Sequence, residues 1–187
     1  PVTPGVAGSS PVHSANKING LREQSRNPFS FVRAPPMADA PLDQHMRLAL
    51  DLAAQARLAC VPNPAVGCVL VGQSGAVLGQ GHTQPVGQAH AEVMALRDAA
   101  ARGHDVAGAT AYVTLEPCAH QGRTGPCCDA LIAAGIGRVV ASLEDPNPRV
   151  AGQGFARLRA AGVQVEIGPG AEVSRELNIG FFSRMVR

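Results

Sequence analysis

The sequence predicts an α/β fold in three layers, a mixed five-stranded sheet between helices. Three observations predict it. Short β-branched runs alternate with helix-period apolar segments in the second half of the chain, the pattern of strand–helix–strand crossovers and hence of parallel strands. A "GQSG" turn between two apolar runs predicts a hairpin ahead of them. Gly103 and Gly135 stand just past two helical segments, where helices commonly end.

In order along the chain, "PLDQHMRLALDLAAQARLAC" (41–60) carries Leu42, Met46, Ala49, Leu50 and Ala53 on one helical stripe, and it stops before the two prolines of "VPNP". "AVGCVLV" (65–71) reads as a buried strand and "AVLGQGHT" (76–83) as its hairpin partner. "AHAEVMALRDAAARG" (89–103) is a helix, "ATAYVTLEP" (109–117) a strand and "CCDALIAAG" (127–135) a helix. "GRVVASLED" (137–145) is a strand, "GQGFARLRAAG" (152–162) a helix, "VQVEIG" (163–168) a strand and 171–187 one last helix.

Composition narrows the class. With 187 residues and 45% hydrophobic content, residues 37–187 suffice for one globular domain. Residues 1–36 hold six prolines, many Ser and Gly and no apolar periodicity, and are read as a disordered leader or upstream extension. A net charge of +2 without a basic run, together with one Tyr, five Phe and no Trp, gives no stacking platform for single-stranded nucleic acid. No apolar stretch approaches the roughly 20 residues of a membrane span. The five cysteines cluster instead of spreading as a disulfide framework, which points to reduced thiols and a cytoplasmic protein.

Reactive side chains gather at two strand-to-helix transitions, where sheet proteins of this class place their sites. One is "HAE" (90–92), the other "PCAHQGRTGPCC" (117–128). One histidine, Cys118 and one of the pair Cys127/Cys128 are suitable zinc ligands, and a fourth position left to water marks a catalytic site. Residues two apart do not share a helix face, so His90 and Glu92 divide the work: His90 toward the metal, Glu92 toward a bound water as proton shuttle. His120, Arg123 and Thr124 lie between the two thiolates and therefore beside the metal; Arg123 suits a phosphate or a carbonyl edge. Against this stands a closed structural zinc knot, with Cys128 or His120 as a fourth ligand. Cys128 is expected to point into the helix core instead, Cys60 and Cys68 to be ordinary buried thiols, and His13, His45 and His104 to be solvated.

An H-x-E followed by P-C is the signature of zinc-dependent nucleobase deaminases, whose usual second half is P-C-x-x-C. Here the second thiolate comes nine positions after Cys118, across "AHQGRTGP". With "PNPAVGCVLV", "TLEPCAHQGRTGPC", "DPNPRVAGQG" and "LNIGFFSRM" in one order, residues 41–187 resemble the deaminase domain of the riboflavin-pathway bifunctional deaminase/reductase, a cytidine-deaminase-like enzyme. The resemblance implies His90, Cys118 and Cys127 as ligands of one zinc ion and Glu92 as general acid/base. It implies Asn63, Asp145 and Asn147 as further pocket residues, an amide presenting donor and acceptor together to a pyrimidine edge. The implied substrate is a phosphorylated diaminopyrimidinone ribosylamine, with no nucleic-acid or membrane partner, and the implied assembly a homo-oligomer.

Two departures concern substrate contacts: Thr83 where the family often has histidine, and Gly125 in place of the first proline of T-P-P-C. The family's NADPH-dependent reductase domain, which follows the deaminase, is not expected in this chain. "GQG" (152–154) is no dinucleotide fingerprint, since Arg157 stands where a third glycine belongs. The reductase is then separate or deleted. The runner-up activity is a tRNA adenosine or other nucleoside deaminase, against which the long insertion and the scarcity of aromatics both count.

Overall fold

The computed structural model describes residues 42–121, 125–148 and 151–185. Segment 1–36, Arg123 and Thr124 lie outside the described residues. Five strands, β1 (Gly67–Val71), β2 (Val77–His82), β3 (Thr110–Val113), β4 (Arg138–Ala141) and β5 (Gln164–Ile167), form one sheet in the order β2-β1-β3-β4-β5. β1 runs antiparallel to both β2 and β3, whereas β3, β4 and β5 are parallel. The hairpin and the parallel half are those the sequence predicts.

Helices cover both faces, as the period-2 alternation of the strands requires. Val69, Val71 and Val140 face α1 (Gln44–Ala56), packing with Met46, Ala49, Leu50 and Leu52. Cys68, Leu70, Ala111, Val113, Val139 and Ala141 face the other way. They pack with α2 (Ala91–Ala101), α3 (Cys127–Ala133) and α4 (Gln153–Ala160) through Ala95, Leu131, Phe155 and Leu158. α2 lies so close to β2 that a Cβ at Gly81 would stand 2.6 Å from the Ala95 nitrogen, so the glycine sets the depth at which α2 sits.

Three expectations about element bounds are corrected. α1 ends at Ala56, short of Cys60, because Pro62 disfavours helical backbone at Val61 and the intervening residues tighten into turns such as Cys60 N–H to Ala56 O at 3.1 Å. β3 stops at Val113, leaving 114–121 as the loop that carries the site. The last helix is two, α5 (Ala171–Leu177) and α6 (Ile179–Met185), broken at Asn178. Asn178 is buried, and its side chain bonds the backbone of Ala65 rather than solvent, which bends the chain there.

Candidate metal and active site

His90 is the residue that caps α2 at its N-terminus; its backbone is extended and its ring makes no capping bond, so the imidazole projects away from the helix. Its Nδ1 stands 3.3 Å from Cys127 Sγ and 3.6 Å from Cys118 Sγ. Cys118 comes from the loop after β3, and Cys127 is the first residue of α3. The eight-residue gap between the two cysteines is closed by the backbone. The Cys127 N–H donates to Cys118 Sγ at 3.4 Å, and the Cys128 N–H donates to Cys118 O at 3.2 Å. The two ends of the insertion thus meet, which is why it does not separate the thiols.

The donor set fits zinc. Bonds of about 2.3 Å to sulfur and about 2.0 Å to nitrogen put tetrahedral neighbours about 3.5–3.8 Å apart, close to the separations found here. The three ligand atoms all lie within 4.8 Å of one another, and among the described residues they are the one cluster able to hold a metal. Cys128 is fully buried in the α3 core, with its Sγ toward Asp129 at 3.8 Å, and His120 stands on the pocket wall. Neither joins the cluster, so the closed-knot arrangement is not formed among these residues. His90, Cys118 and Cys127 are a candidate zinc site with three protein ligands.

The electrostatics are those of a ligand set. The Cys118 thiol is drawn down to about 4, chiefly by the hydrogen bond from the Cys127 thiol and further by His90, although its burial opposes this. Cys127 is pushed up for the complementary reason, first by its bond to Cys118 and then by burial. His90 is raised, first by its bond to Cys118. Glu92, in the first turn of α2 and 4% exposed, is raised to about 7, first by burial and then by the negative charge of Cys118.

A cavity of about 410 Å³ opens onto these groups, within the range of small-molecule sites. Its wall brings together Asn63, His120, Asp145 and Asn147 with His90, Glu92 and Cys118. The Asp145 carboxyl is raised, first by burial, and accepts the Asn147 N–H at 2.8 Å. Arg123 and Thr124 lie outside the described residues. Cys60 and Cys68 are buried free thiols. His104 is exposed. His45 is not solvated: its side chain is 12% exposed, its ring lies 5.3 Å from that of Tyr112, and it meets Asp43.

The wall also includes Thr83, singled out above as a departure from the family, and Glu116, Phe181 and Met185, which sequence reasoning did not assign. The Thr83 hydroxyl accepts the Val66 N–H at 3.1 Å and donates to Val66 O at 3.4 Å, so it serves the strand entry. His82 is turned aside toward Thr83 O and Gln84, consistent with a one-residue change of face. Phe181 and Met185, on α6 beyond the break at Asn178, line the pocket. The signal available for them was the "LNIGFFSRM" stretch, whose facing the periodicity does not give.

A family description, Cytidine and deoxycytidylate deaminase zinc-binding region, matches residues 40–143. The chain is 54% identical over 143 residues to the riboflavin biosynthesis protein RibD of Escherichia coli, covering 76% of this chain and 38% of that protein. It is 45% identical over 141 residues to a diaminohydroxyphosphoribosylamino-pyrimidine deaminase of Buchnera aphidicola, covering 75% of this chain and 93% of that protein. Among solved structures, Acinetobacter baumannii RibD superposes with a TM-score of 0.71 at 48% identity, over 75% of this chain and 38% of that one. The chain thus spans well under half the length of its RibD relatives but nearly all of the shorter deaminase. Sequence match, superposed fold and ligand cluster agree, and the chain belongs to the cytidine and deoxycytidylate deaminase zinc-binding family, alongside the diaminohydroxyphosphoribosylaminopyrimidine deaminases.

Proposed function

We propose that this chain hydrolyses the exocyclic amino group of 2,5-diamino-6-ribosylamino-4(3H)-pyrimidinone 5′-phosphate, releasing ammonia and 5-amino-6-(5-phosphoribosylamino)uracil in riboflavin biosynthesis. The observation that carries this reading is a buried carboxyl, Glu92, set beside the His90–Cys118–Cys127 cluster in a cavity walled by amides and carboxyls.

His90, Cys118 and Cys127 would hold zinc, which would supply Lewis-acid activation of water at neutral pH. Glu92 does the proton work. With a cation beside it the carboxylate form is favoured, ready to take a proton from the attacking water on Oε. Glu92 then returns that proton to the ring nitrogen, and as the C–N bond breaks it transfers the water's second proton to the departing amine. The carbon that carried nitrogen now carries oxygen, and ammonia leaves. General acid–base transfer of this kind contributes about 10²–10⁴-fold. His120, Asp145, Asn147 and Asn63 would orient the ring, the Asn63 amide offering donor and acceptor to the pyrimidine edge. Arg123 would hold the phosphate or a carbonyl edge and Thr124 would assist it.

Reduction of the product by NADPH belongs, on this reading, to a separate domain or polypeptide. The working state is a cytoplasmic homo-oligomer with no nucleic-acid partner. No helix among the described residues is long and apolar enough to cross a membrane.

The test is ammonia release from that substrate by the purified chain, with zinc measured on the same sample. Turnover at about one zinc per chain, abolished by Glu92→Gln with zinc retained, supports the reading. Zinc without turnover would sink it and return the site to a structural role or a different base.

A further inference from the structure

Glu116 is 7% exposed, stands two residues before Cys118, and takes no part in the chemistry above. Its carboxylate accepts four backbone N–H groups from residues far along the chain. Oε2 takes those of Asp145 at 3.0 Å and Gly152 at 2.9 Å. Oε1 takes those of Gly154 at 2.8 Å and Phe155 at 3.3 Å. One carboxylate therefore grips both arms of the segment between β4 and α4. The first arm is the pocket wall itself, Asp145 and Asn147. The second is the start of α4, fixed in the core by Phe155 and Leu158.

The packing leaves no slack. A Cβ on Gly154 would stand 2.0 Å from Pro117 O, so α4 can meet the 116–117 backbone at this distance through glycine alone. Farther along α4, Arg157 donates to Ala119 O at 3.3 Å and pairs with Asp129 of α3 at 2.7 Å. The stretch Glu116–Cys118 thus presents a metal ligand at one end and anchors the pocket wall at the other.

We propose that Glu116 is a positioning residue: it sets the distance between the metal cluster and the Asp145/Asn147 wall, and through that wall the affinity for the substrate ring. The proposal rests on the deaminase reading for its substrate. No neutral side chain can replace the carboxylate. A glutamine offers one oxygen, and its NH₂ would face two N–H donors, leaving two of the four amides without an acceptor.

The experiment compares zinc-loaded wild type with Glu116→Gln in two measurements. Hydrogen exchange at the amides of Asp145, Gly152, Gly154 and Phe155 should quicken at least about tenfold, with β3 amides unchanged. KM for the diaminopyrimidinone ribosylamine phosphate should rise about tenfold or more while kcat stays within about threefold and zinc content holds. Glu116→Asp, which keeps the charge but reaches less far, should fall between the two; it also replaces the glutamine variant should that fail to fold. Unchanged exchange overturns the grip. Quickened exchange with unchanged KM overturns the role in substrate affinity, and zinc loss in step with activity would make Glu116 a support of the ligand loop instead. Wild type without turnover would defeat the deaminase reading, and exchange alone would then decide whether Glu116 holds the segment.

Discussion

The Asn178 side chain clasps the backbone of Ala65: Oδ1 accepts the Ala65 N–H at 2.7 Å and Nδ2 donates to Ala65 O at 2.9 Å. Nδ2 also donates to Ser174 O at 3.1 Å, and Ser174 Oγ donates to Thr114 O. The corner between α5 and α6 is thereby tied to the lead-in of β1, and Phe181 and Met185 are carried to the pocket. Asn178→Ala strands both backbone groups of Ala65 in a buried site. We expect a loss of about 2–4 kcal/mol in urea unfolding, since each unsatisfied buried group costs about 1–3 kcal/mol. A KM increase at undiminished zinc should accompany it. A variant as stable as wild type would show that the clasp is incidental.

Glu92 makes the stability of the metal-stripped chain depend on pH. Its folded-state value of about 7 lies above the ordinary 4.5, first because burial disfavours the charged form. Between those values the folded chain binds more protons than the unfolded one, so stability falls as pH rises through that window. The contribution is whole below the lower value and gone above the upper one, with a span of about 3 kcal/mol at most. Glu92→Gln removes the titrating group, and its unfolding free energy should change less between about pH 5 and about pH 8. Equal pH slopes in the two chains would assign the effect elsewhere.

Zinc binding should release protons. Cys127 is held protonated by its bond to Cys118 and by burial, and His90 is raised as well, yet both must lose their protons to ligate. Calorimetric titration of the stripped chain in buffers of different ionisation enthalpy should show at least about one proton released per zinc near neutral pH, with affinity falling as the medium is acidified. Cys127→Ser should weaken binding strongly while leaving the fold, since the core cysteine beside it is Cys128. Heats independent of the buffer would mean that the thiols reach the metal already ionised.

How much of this was legible depends on what each residue's partner is. His90, Glu92, Cys118 and Cys127 were readable because their partners are one another, at strand–helix junctions whose periodicity is plain. The hairpin and the three parallel strands followed from one turn and two crossovers, whereas the antiparallel pairing of β1 with β3 carries no mark in the sequence. Glu116 was not readable as an anchor. Its partners are backbone amides 29 to 39 positions away, and every non-proline residue carries such a donor, so no sequence mark identifies them. Asn178 and Thr83 were hidden for the same reason, each being tied to the backbone at Ala65 or Val66. His45 was misjudged because its neighbour Tyr112 arrives from β3, which the local helical pattern cannot foresee.

The depth of α2 against β2 should govern the chemistry from a distance. Gly81 has no side chain where α2 crosses the strand; a Cβ there would meet Met94 Cβ at 2.5 Å, the Ala95 nitrogen at 2.6 Å and Ala91 O at 2.8 Å. Two of these are backbone atoms, so an alanine moves the helix rather than one flexible side chain. The residues it strikes lie within three positions of Glu92 and five of His90, whose placement is set by the start of α2. Gly81→Ala is therefore expected to cost about 1–3 kcal/mol through overpacking. It should also lower kcat by about tenfold or more, because a displacement near 1 Å of a catalytic group can cost about 10²-fold. Stopped-flow ammonia release and urea unfolding on the same zinc-loaded sample separate the two effects. A destabilised variant with full kcat would show that α2 tilts about its N-terminus and leaves His90 and Glu92 where they were.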